Sequence, residues 1–350
     1  MVMAVRDGVL VVDKPAGWTS HDVVAKVRKI MVTRKVGHSG TLDPDATGVL
    51  VLGVGRATRL LRFVTMLPKS YEAEIVFGVE TDTLDASGTV TARHDMSSIT
   101  DTQMRVTAAS LKGRIMQKPP MVSAVKIGGK RLHELARRGI EVDRPARPVT
   151  VTRFDLQPAT LPLKGIGEEP ATGAGVEDEL AVEVEAGEPT ASVGARDRLA
   201  AEVIMGESRV WRAWVDCSSG TYVRVLASDL GAALGGGAHL AKLRRTAVGR
   251  FILADACSVE SSESLRLLPM AAAVSHLPGV QVDPTIETAV RNGRILPLSI
   301  LGVAEGCSTE ISQQHPNSRP WAVHDHKGNL LAVYEAHPKG AKPVVVVSAV

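Results

Sequence analysis

Most of the architecture follows from the stretch Gly37-His38-Ser39-Gly40-Thr41-Leu42-Asp43-Pro44-Asp45-Ala46-Thr47-Gly48, which continues directly into Val49-Leu50-Val51-Leu52. Its glycines and proline predict a loop, and the apolar run predicts a buried strand. The ring of Pro44 pushes the preceding Asp43 toward extended backbone angles. We therefore expect a carboxylate held on a stiff loop that leads into the core. On local composition alone, an ordinary acidic turn is the more common explanation.

Two further stretches combine a glycine-containing loop with polar side chains. The first is Cys217-Ser218-Ser219-Gly220-Thr221-Tyr222-Val223-Arg224. It lies between a strand predicted at residues 210–215 and an amphipathic helix, which we expect Thr221 to cap and a glycine to close. The second follows three consecutive glycines and reads Leu243-Arg244-Arg245-Thr246-Ala247-Val248-Gly249-Arg250-Phe251. No GxxxxGK[ST] pattern follows those glycines, which excludes a P-loop.

Together the three stretches resemble motifs of the TruB family of pseudouridine synthases. The first matches the family's catalytic string Gly-His-Ser-Gly-Thr-Leu-Asp-Pro-x-Ala-Thr-Gly, and the resemblance covers roughly residues 9–251. It implies an α/β (α+β) fold with a central, mainly antiparallel mixed sheet. It also implies conversion of uridine to pseudouridine within RNA, with Asp43 as the catalytic residue.

The resemblance assigns roles to residues that would bind the substrate. Tyr71 matches the tyrosine that stacks on the target base, and Leu243 would be a wall of the uracil pocket. Arg224, in the motif that also contains Tyr222, would lie against the catalytic aspartate and hold it ionised. His38 would help displace the target nucleotide from the stack. Without the resemblance, Tyr71 could equally be a packing tyrosine, Arg224 a surface arginine and His38 an ordinary loop histidine.

Four basic residues are expected to support the site or contact the RNA backbone: Lys14, Lys126, Arg244 and Arg245. Lys14 stands in a Lys-Pro-x-Gly-x-Thr-Ser segment that the family places beside the active site, although its composition also fits a surface lysine. Lys126 fits either a phosphate contact or a structural role. A basic helix predicted at residues 131–138 would suit backbone phosphates. Val122 departs from the family pattern, because tyrosine is common at that position.

The charge is distributed unevenly along the 350 residues, of which 44% are hydrophobic and 23% charged, as in a globular protein. Residues 165–207 carry eleven acids against two bases, a balance of −9. Because the whole chain carries +3, the remaining residues carry +12. A basic body attracts a phosphate backbone, whereas the acidic segment would be repelled by it. We therefore predict a disordered acidic insert at about residues 160–208.

Targeting and cofactor signals are absent from the sequence. No apolar run approaches eighteen residues, and Arg6 and Asp7 interrupt the N-terminal segment, so a cytoplasmic protein without a membrane partner is expected. Cys217, Cys257 and Cys307 lie far apart with no CxxC or Cys/His cluster, which indicates neither a disulfide framework nor a zinc site. We expect no metal and no cofactor, in agreement with a redox-neutral reaction.

The length suggests a large catalytic domain with a smaller module. We place the catalytic domain at residues 1–280 and a C-terminal module at residues 281–350. In the latter, strand candidates flank the hairpin signal Lys327-Gly328-Asn329. The module resembles the small β-rich, PUA-like RNA-binding module of TruB proteins, and a plain β packing domain is the alternative. A monomer is expected.

The predicted substrate depends on the residues after Pro44. A related guide-RNA-dependent family shares the His-Ser-Gly-Thr-Leu-Asp-Pro string but tends to continue with Val-Thr-Gly, whereas Asp45-Ala46-Thr47-Gly48 is closer to the stand-alone tRNA enzymes. We therefore expect uridine 55 in the T-arm of tRNA as the target, without a guide RNA. Asp43 would either attack the ribose C1′ or remove a C2′ proton to give a glycal. A tRNA-folding chaperone without turnover would use the same flipping and stacking groups, but it would not need Asp43.

Overall fold

The computed structural model describes residues 7–121, 123, 126–127, 130–132, 135, 140, 142–159, 209–260, 265–302 and 320–347. In these ranges the strands are β1 Gly8–Lys14, β2 Val36–His38, β3 Thr47–Val54, β4 Lys69–Phe77, β5 Val79–Thr81, β6 Val90–Arg93, β7 Gly113–Gln117, β8 Lys126–Ile127, β9 Lys130–Arg131, β10 Arg147–Pro158, β11 Arg209–Cys217, β12 Ala238–Val248, β13 Phe251–Ile252, β14 Leu267–Leu268, β15 Gly279–Gln281, β16 Trp321–His324, β17 Leu330–His337 and β18 Gly340–Val346. The α-helices are α1 Ser20–Ile30, α2 Leu61–Thr65, α3 Asp101–Ser110, α4 Val223–Ala233 and α5 Pro284–Arg291.

The chain divides into two compact units. The first contains Met1–Glu72, Asp216–Thr221 and Leu243–Val350, and the second contains Ala73–Val215 and Tyr222–Lys242. In the first unit, β14, β1, β3 and β12 are neighbours in a sheet, with β2 added to β3 and β13 to β12. β1 pairs with β14 and β3 in antiparallel fashion, whereas β3 and β12 are parallel. The expected mixed, mainly antiparallel central sheet is thus confirmed.

Both faces of β1 and β3 are buried, which explains why these strands read as continuous apolar runs. Leu10 and Leu50 belong to a cluster with Val23, Val24 and Val27 of α1. Helix α1 begins at Ser20, because Thr19 forms a capping box with Asp22. The other face of the two strands packs in a cluster that includes α2. A 3-10 segment, Gly55–Leu60, follows β3 and continues into the short α2.

In the second unit, residues 238–242 of β12 and 73–77 of β4 precede β11, β10 and β7 in the strand order, whereas Tyr71, near the start of β4, belongs to the first unit. Helix α4 corrects one sequence prediction, because its N-cap residue is Tyr222 and not Thr221. The side-chain amide of Gln117 binds both backbone groups of Tyr222, accepting from its N–H at 2.7 Å and donating to its carbonyl oxygen at 3.1 Å. The Thr221 hydroxyl instead donates to the Ser218 carbonyl oxygen at 3.0 Å. A partner from β7 thus replaces the local cap that the sequence suggested.

The C-terminal part of the first unit is rich in β-structure, as expected. Strands β15, β16, β17 and β18 form a four-stranded sheet in that order, and α5 precedes β16 in the chain. One face packs in a cluster around Trp321 and Tyr334. Residues of the other face, including Leu330 and Val333, belong to the same hydrophobic cluster as Val9 and Val49 of the central sheet. The C-terminal sheet therefore shares a core with β1 and with β3, the strand that follows the Asp43 loop.

Several predicted features lie outside the described residues. These are the acidic insert, Cys307, Val122 and most of the basic helix expected at residues 131–138. Arg131 itself ends the two-residue strand β9, which pairs with β8. The domain boundary predicted near residue 281 and the RNA-binding role of the module stay predictions.

Candidate active site

The loop that carries Asp43 is fixed on both sides of the carboxylate. On one side, the hydroxyl of Ser20 accepts from the backbone N–H of Leu42 at 2.9 Å and donates to its carbonyl oxygen at 3.2 Å. On the other side, the carbonyl oxygen of Pro44 accepts from the Gly17 N–H at 3.0 Å. Leu42 is buried, whereas Asp43 is half-buried. The fold therefore anchors the neighbours of Asp43 and leaves its side chain partly accessible.

Lys14 is a fully buried lysine beneath this loop. Its Nζ donates to the carbonyl oxygens of Pro15 at 2.9 Å, Trp18 at 2.5 Å and Pro44 at 2.8 Å, which matches the three donors of an ammonium group. Burial lowers the pKa of Lys14 to about 8, although the carboxylates of Asp45 and Asp43 raise it. Through these hydrogen bonds, Lys14 connects the end of β1 to the Asp43 loop.

Arg245 is a buried arginine on the other side of the loop. Its Nε donates to the Val49 carbonyl oxygen at 2.7 Å, Nη1 to that of Thr41 at 3.4 Å and Nη2 to that of Gly40 at 3.2 Å. Its backbone lies next to Gly48 in the parallel pairing of β12 with β3. The guanidinium therefore bridges the start of the Asp43 loop and the strand that follows it.

Tyr71, in β4, is half-buried, and its hydroxyl group lies close enough to the Arg245 side chain to interact with it electrostatically. Burial raises the pKa of this phenol, and Arg245 opposes the rise, while the Asp43 carboxylate contributes a further small increase. Tyr71 and Asp43 are thus close enough to interact electrostatically. Leu243, also half-buried, lies two residues before Arg245 on β12. The first unit accordingly brings the predicted acid, the aromatic ring and Arg245 together.

His38 ends β2 immediately before the loop. Its ring meets that of His21 edge-on, with 5.9 Å between the ring centroids. Burial lowers the pKa of His38, and the proximity of His21 lowers it further, so the neutral imidazole is favoured at neutral pH. A neutral, partly buried ring at this position suits contact with bases better than contact with phosphates.

Arg244 points to the opposite side of β12 from Arg245 and binds Asp13. Its Nη1 and Nη2 donate to the two Asp13 carboxylate oxygens at 3.1 and 2.6 Å, and Nη1 also donates to the Thr47 hydroxyl at 3.2 Å. These residues, with Lys14, line a shallow cavity of about 300 Å³. A phosphate contact by Arg244 would have to compete with the bidentate carboxylate.

Arg224 lies in the second unit, near the start of α4, and is 4% exposed. Its Nη1 donates to Asp85 Oδ2 at 3.1 Å and to the Thr83 carbonyl oxygen at 3.2 Å. The other Asp85 oxygen accepts hydrogen bonds from the hydroxyl groups of Thr83 and Ser87. Because Asp43 belongs to the first unit, its predicted pairing with Arg224 stays a prediction.

The remaining predicted site residues are Tyr222 and Lys126. Tyr222 is half-buried at the N-cap of α4, where Gln117 fixes its backbone. Lys126 begins β8, which pairs with β9.

Two residues that hold predicted site residues in place were not predicted from the sequence. These are Asp85, which binds Arg224, and Gln117, which binds the backbone of Tyr222. Asp85 lies in a segment that reads as a solvated turn, yet it is half-buried and pairs with Arg224. The only available signal was that a buried arginine requires a carboxylate or carbonyl partner. Nothing in the local sequence around Gln117 points to α4, more than a hundred residues away.

The described part of the chain offers no group of three or more His, Cys, Asp or Glu side chains that could hold a metal ion. Among the described helices, none has the length and apolar character needed to cross a membrane.

Comparisons with known proteins agree on one family. A family model for the N-terminal domain of TruB family pseudouridylate synthases matches residues 28–167, and one for the C-terminal domain of tRNA pseudouridylate synthase B matches residues 224–274. The tRNA pseudouridine synthase B of Mycobacteroides abscessus is 42% identical over 85% of this chain and 86% of its own length. That of Streptomyces coelicolor is 40% identical over 97% of both chains.

Solved structures support the fold. A chain from a Cbf5-Nop10-Gar1 complex superposes with a TM-score of 0.60 at 24% identity, covering 98% of this chain and 85% of that one. A chain from an archaeal box H/ACA sRNP Nop10-Cbf5 complex gives 0.59 at 21% identity, covering 99% and 87%. With relatives at about 40% identity over nearly the whole length, this chain belongs to the TruB family of pseudouridine synthases.

Proposed function

We propose that this protein converts uridine 55 in the T-arm of tRNA to pseudouridine, with Asp43 as the catalytic residue. The observation that carries the proposal is that Arg245 donates hydrogen bonds to the Asp43 loop and lies close enough to the Tyr71 hydroxyl group to interact with it. Through Arg245, the acid and the aromatic ring would be held near each other. The names of the relatives, tRNA pseudouridine synthase B, support tRNA as the substrate.

The reaction rearranges bonds within one nucleotide. The bond between N1 of uracil and C1′ of ribose breaks, the uracil turns, and a new bond forms between C5 and C1′. C5 loses a proton and N1 gains one, so no redox partner is required. Asp43 either attacks C1′ or removes the C2′ proton. In both routes the released uracil must stay beside the sugar, which a stacking contact with Tyr71 and an apolar wall at Leu243 would favour.

Neighbouring residues would prepare the substrate and the acid. The target base must leave the RNA stack before its ribose can be reached. The neutral His38 ring, which lies immediately before the Asp43 loop, would fill the space that the base vacates. Lys14 and Ser20 hold the backbone on both sides of Asp43. Arg224, oriented by Asp85, is the candidate partner that would keep Asp43 ionised.

The function is tested by incubating the purified protein with an unmodified T-arm stem-loop in the absence of any other RNA. Pseudouridine is then detected by carbodiimide labelling and primer extension. We expect multiple turnovers at position 55, and no product from a stem-loop that carries cytidine there. Binding without turnover would contradict the proposal and favour the chaperone alternative. A requirement for a second RNA would contradict guide-independent action.

A further inference from the structure

Arg245 is one of few buried charged residues in the described part of the chain, with 2% of its surface exposed. Its sequence context suggested a contact with RNA phosphates. A phosphate contact requires a guanidinium at the surface with free donors, whereas the donors of Arg245 point at backbone oxygens of its own chain. This position therefore needs a different explanation.

The partners of Arg245 come from three different segments. Gly40 and Thr41 begin the Asp43 loop, and Val49 lies in the strand that follows it. The third segment is β4, the neighbour of β12 in the sheet, whose Tyr71 hydroxyl group lies close enough to the same side chain to interact with it. A planar guanidinium with a fixed fork of donors sets the relative positions of such partners more tightly than a lysine could.

The backbone around Arg245 adds a second constraint. Arg245 pairs with Gly48 across the parallel contact between β12 and β3. A Cβ atom at Gly48 would lie 2.2 Å from the Arg245 carbonyl oxygen, so only glycine fits there. Because of this close approach, the backbone of Arg245, from which its side chain extends, lies next to the end of the Asp43 loop.

Resting on the proposed function, we propose that Arg245 is a positioning residue which fixes the Asp43 loop and the Tyr71 ring relative to each other, and that it does not contact RNA phosphate. In this role Arg245 determines the distance between the acid and the stacked uracil. A displacement of about 1 Å between reacting groups can slow an enzyme roughly a hundredfold.

The test uses the full-length protein with Arg245→Lys, which keeps the charge but not the fork, and Arg250→Met as a matched control. Arg250 is exposed, and its Nη1 donates to the Ser275 hydroxyl at 3.0 Å. For Arg245→Lys we expect a single-turnover rate at saturating T-arm RNA that is at least about tenfold lower, with a Kd within about twofold of the wild type. The control should match the wild type in both quantities.

The opposite pattern would overturn the proposal. Loss of a phosphate contact weakens RNA binding and reduces its dependence on salt, while the rate at saturation is preserved. If Arg245→Lys showed that combination, Arg245 would be an RNA contact.

Hydrogen exchange of residues 39–46 gives a readout that does not depend on activity. We expect faster exchange in Arg245→Lys than in the wild type, and a smaller increase in Tyr71→Phe, which removes the hydroxyl group beside the guanidinium and serves if the lysine variant does not fold. Unchanged exchange in Tyr71→Phe would overturn the link between the ring and the loop. Absence of pseudouridine formation by the wild type would instead contradict the proposed function, independently of the exchange result.

Discussion

The ammonium group of Lys14 is fully buried and donates to three backbone carbonyl oxygens, so the pKa of Lys14 differs between the folded and the unfolded chain. Burial lowers its pKa from 10.5 to about 8. Between these two values the unfolded chain holds a proton on Lys14 that the folded chain has released. The contribution of Lys14 to the free energy of unfolding therefore increases as the pH rises through this window.

Replacement of Lys14 by methionine removes this contribution. We expect the difference in free energy of unfolding between the wild type and Lys14→Met to widen by up to about 3 kcal/mol as the pH rises from about 7.5 to about 10.5. Urea denaturation at several pH values measures this difference. Lys69, whose pKa burial also lowers to about 8, is present in both proteins and cancels. A difference that is independent of pH would contradict the assignment of a buried, partly deprotonated Lys14.

The parallel contact between β3 and β12 is the element that joins the Asp43 loop to Arg245, and it depends on Gly48. Gly48 has a φ of +102° and no room for a Cβ atom. We expect Gly48→Ala to lower the free energy of unfolding by about 3 kcal/mol or more, because backbone strain and a clash act together. Gly328→Ala is the matched control, since Gly328 has a φ of +81° and nothing within 4 Å. It should cost only about 1 kcal/mol. Equal costs would show that the close approach is unimportant.

The elements around the Asp43 loop could be predicted from sequence because their signals are local. The apolar runs of β1 and β3, the Thr19 capping box and the proline next to Asp43 each act within a few residues. The cap of α4 was predicted wrongly because its partner, Gln117, comes from a distant strand. The same reason applies to the pairing of Arg224 with Asp85 and to the carbonyl partners of Arg245, since long-range contacts leave no periodic signal in the chain.

For the molecule as a whole, the C-terminal sheet contributes to the core that also holds β1 and β3. Val345 and Val347 belong to this cluster, and the carbonyl oxygens of Val346 and Val347 accept hydrogen bonds from Arg59 at 2.8 Å and Arg56 at 2.7 Å. Deletion of residues 279–350 should therefore lower the melting temperature of the remaining chain or cause its aggregation, because apolar surface becomes exposed. Arg250→Met should leave the melting temperature unchanged. A truncated chain as stable as the full-length protein would contradict a shared core.

We expect the acidic segment at residues 165–207 to influence the interaction with RNA through its charge. Deletion of residues 165–207 removes a net −9, and we expect tRNA affinity to be equal or higher as a result. Any gain should diminish at high salt, where charges more than about 10 Å apart are screened. A large loss of affinity on deletion would show that the insert contacts RNA directly.

The most direct test of the account is the single-turnover rate of Asp43→Asn on T-arm RNA, compared with Asp45→Asn. Asp45 is an exposed carboxylate two residues away on the same loop, so the pair separates the role of Asp43 from the charge of the loop. We predict that Asp43→Asn binds the RNA like the wild type but loses roughly 10³-fold or more in rate, while Asp45→Asn stays active. Pseudouridine formation by Asp43→Asn at the wild-type rate would contradict the account.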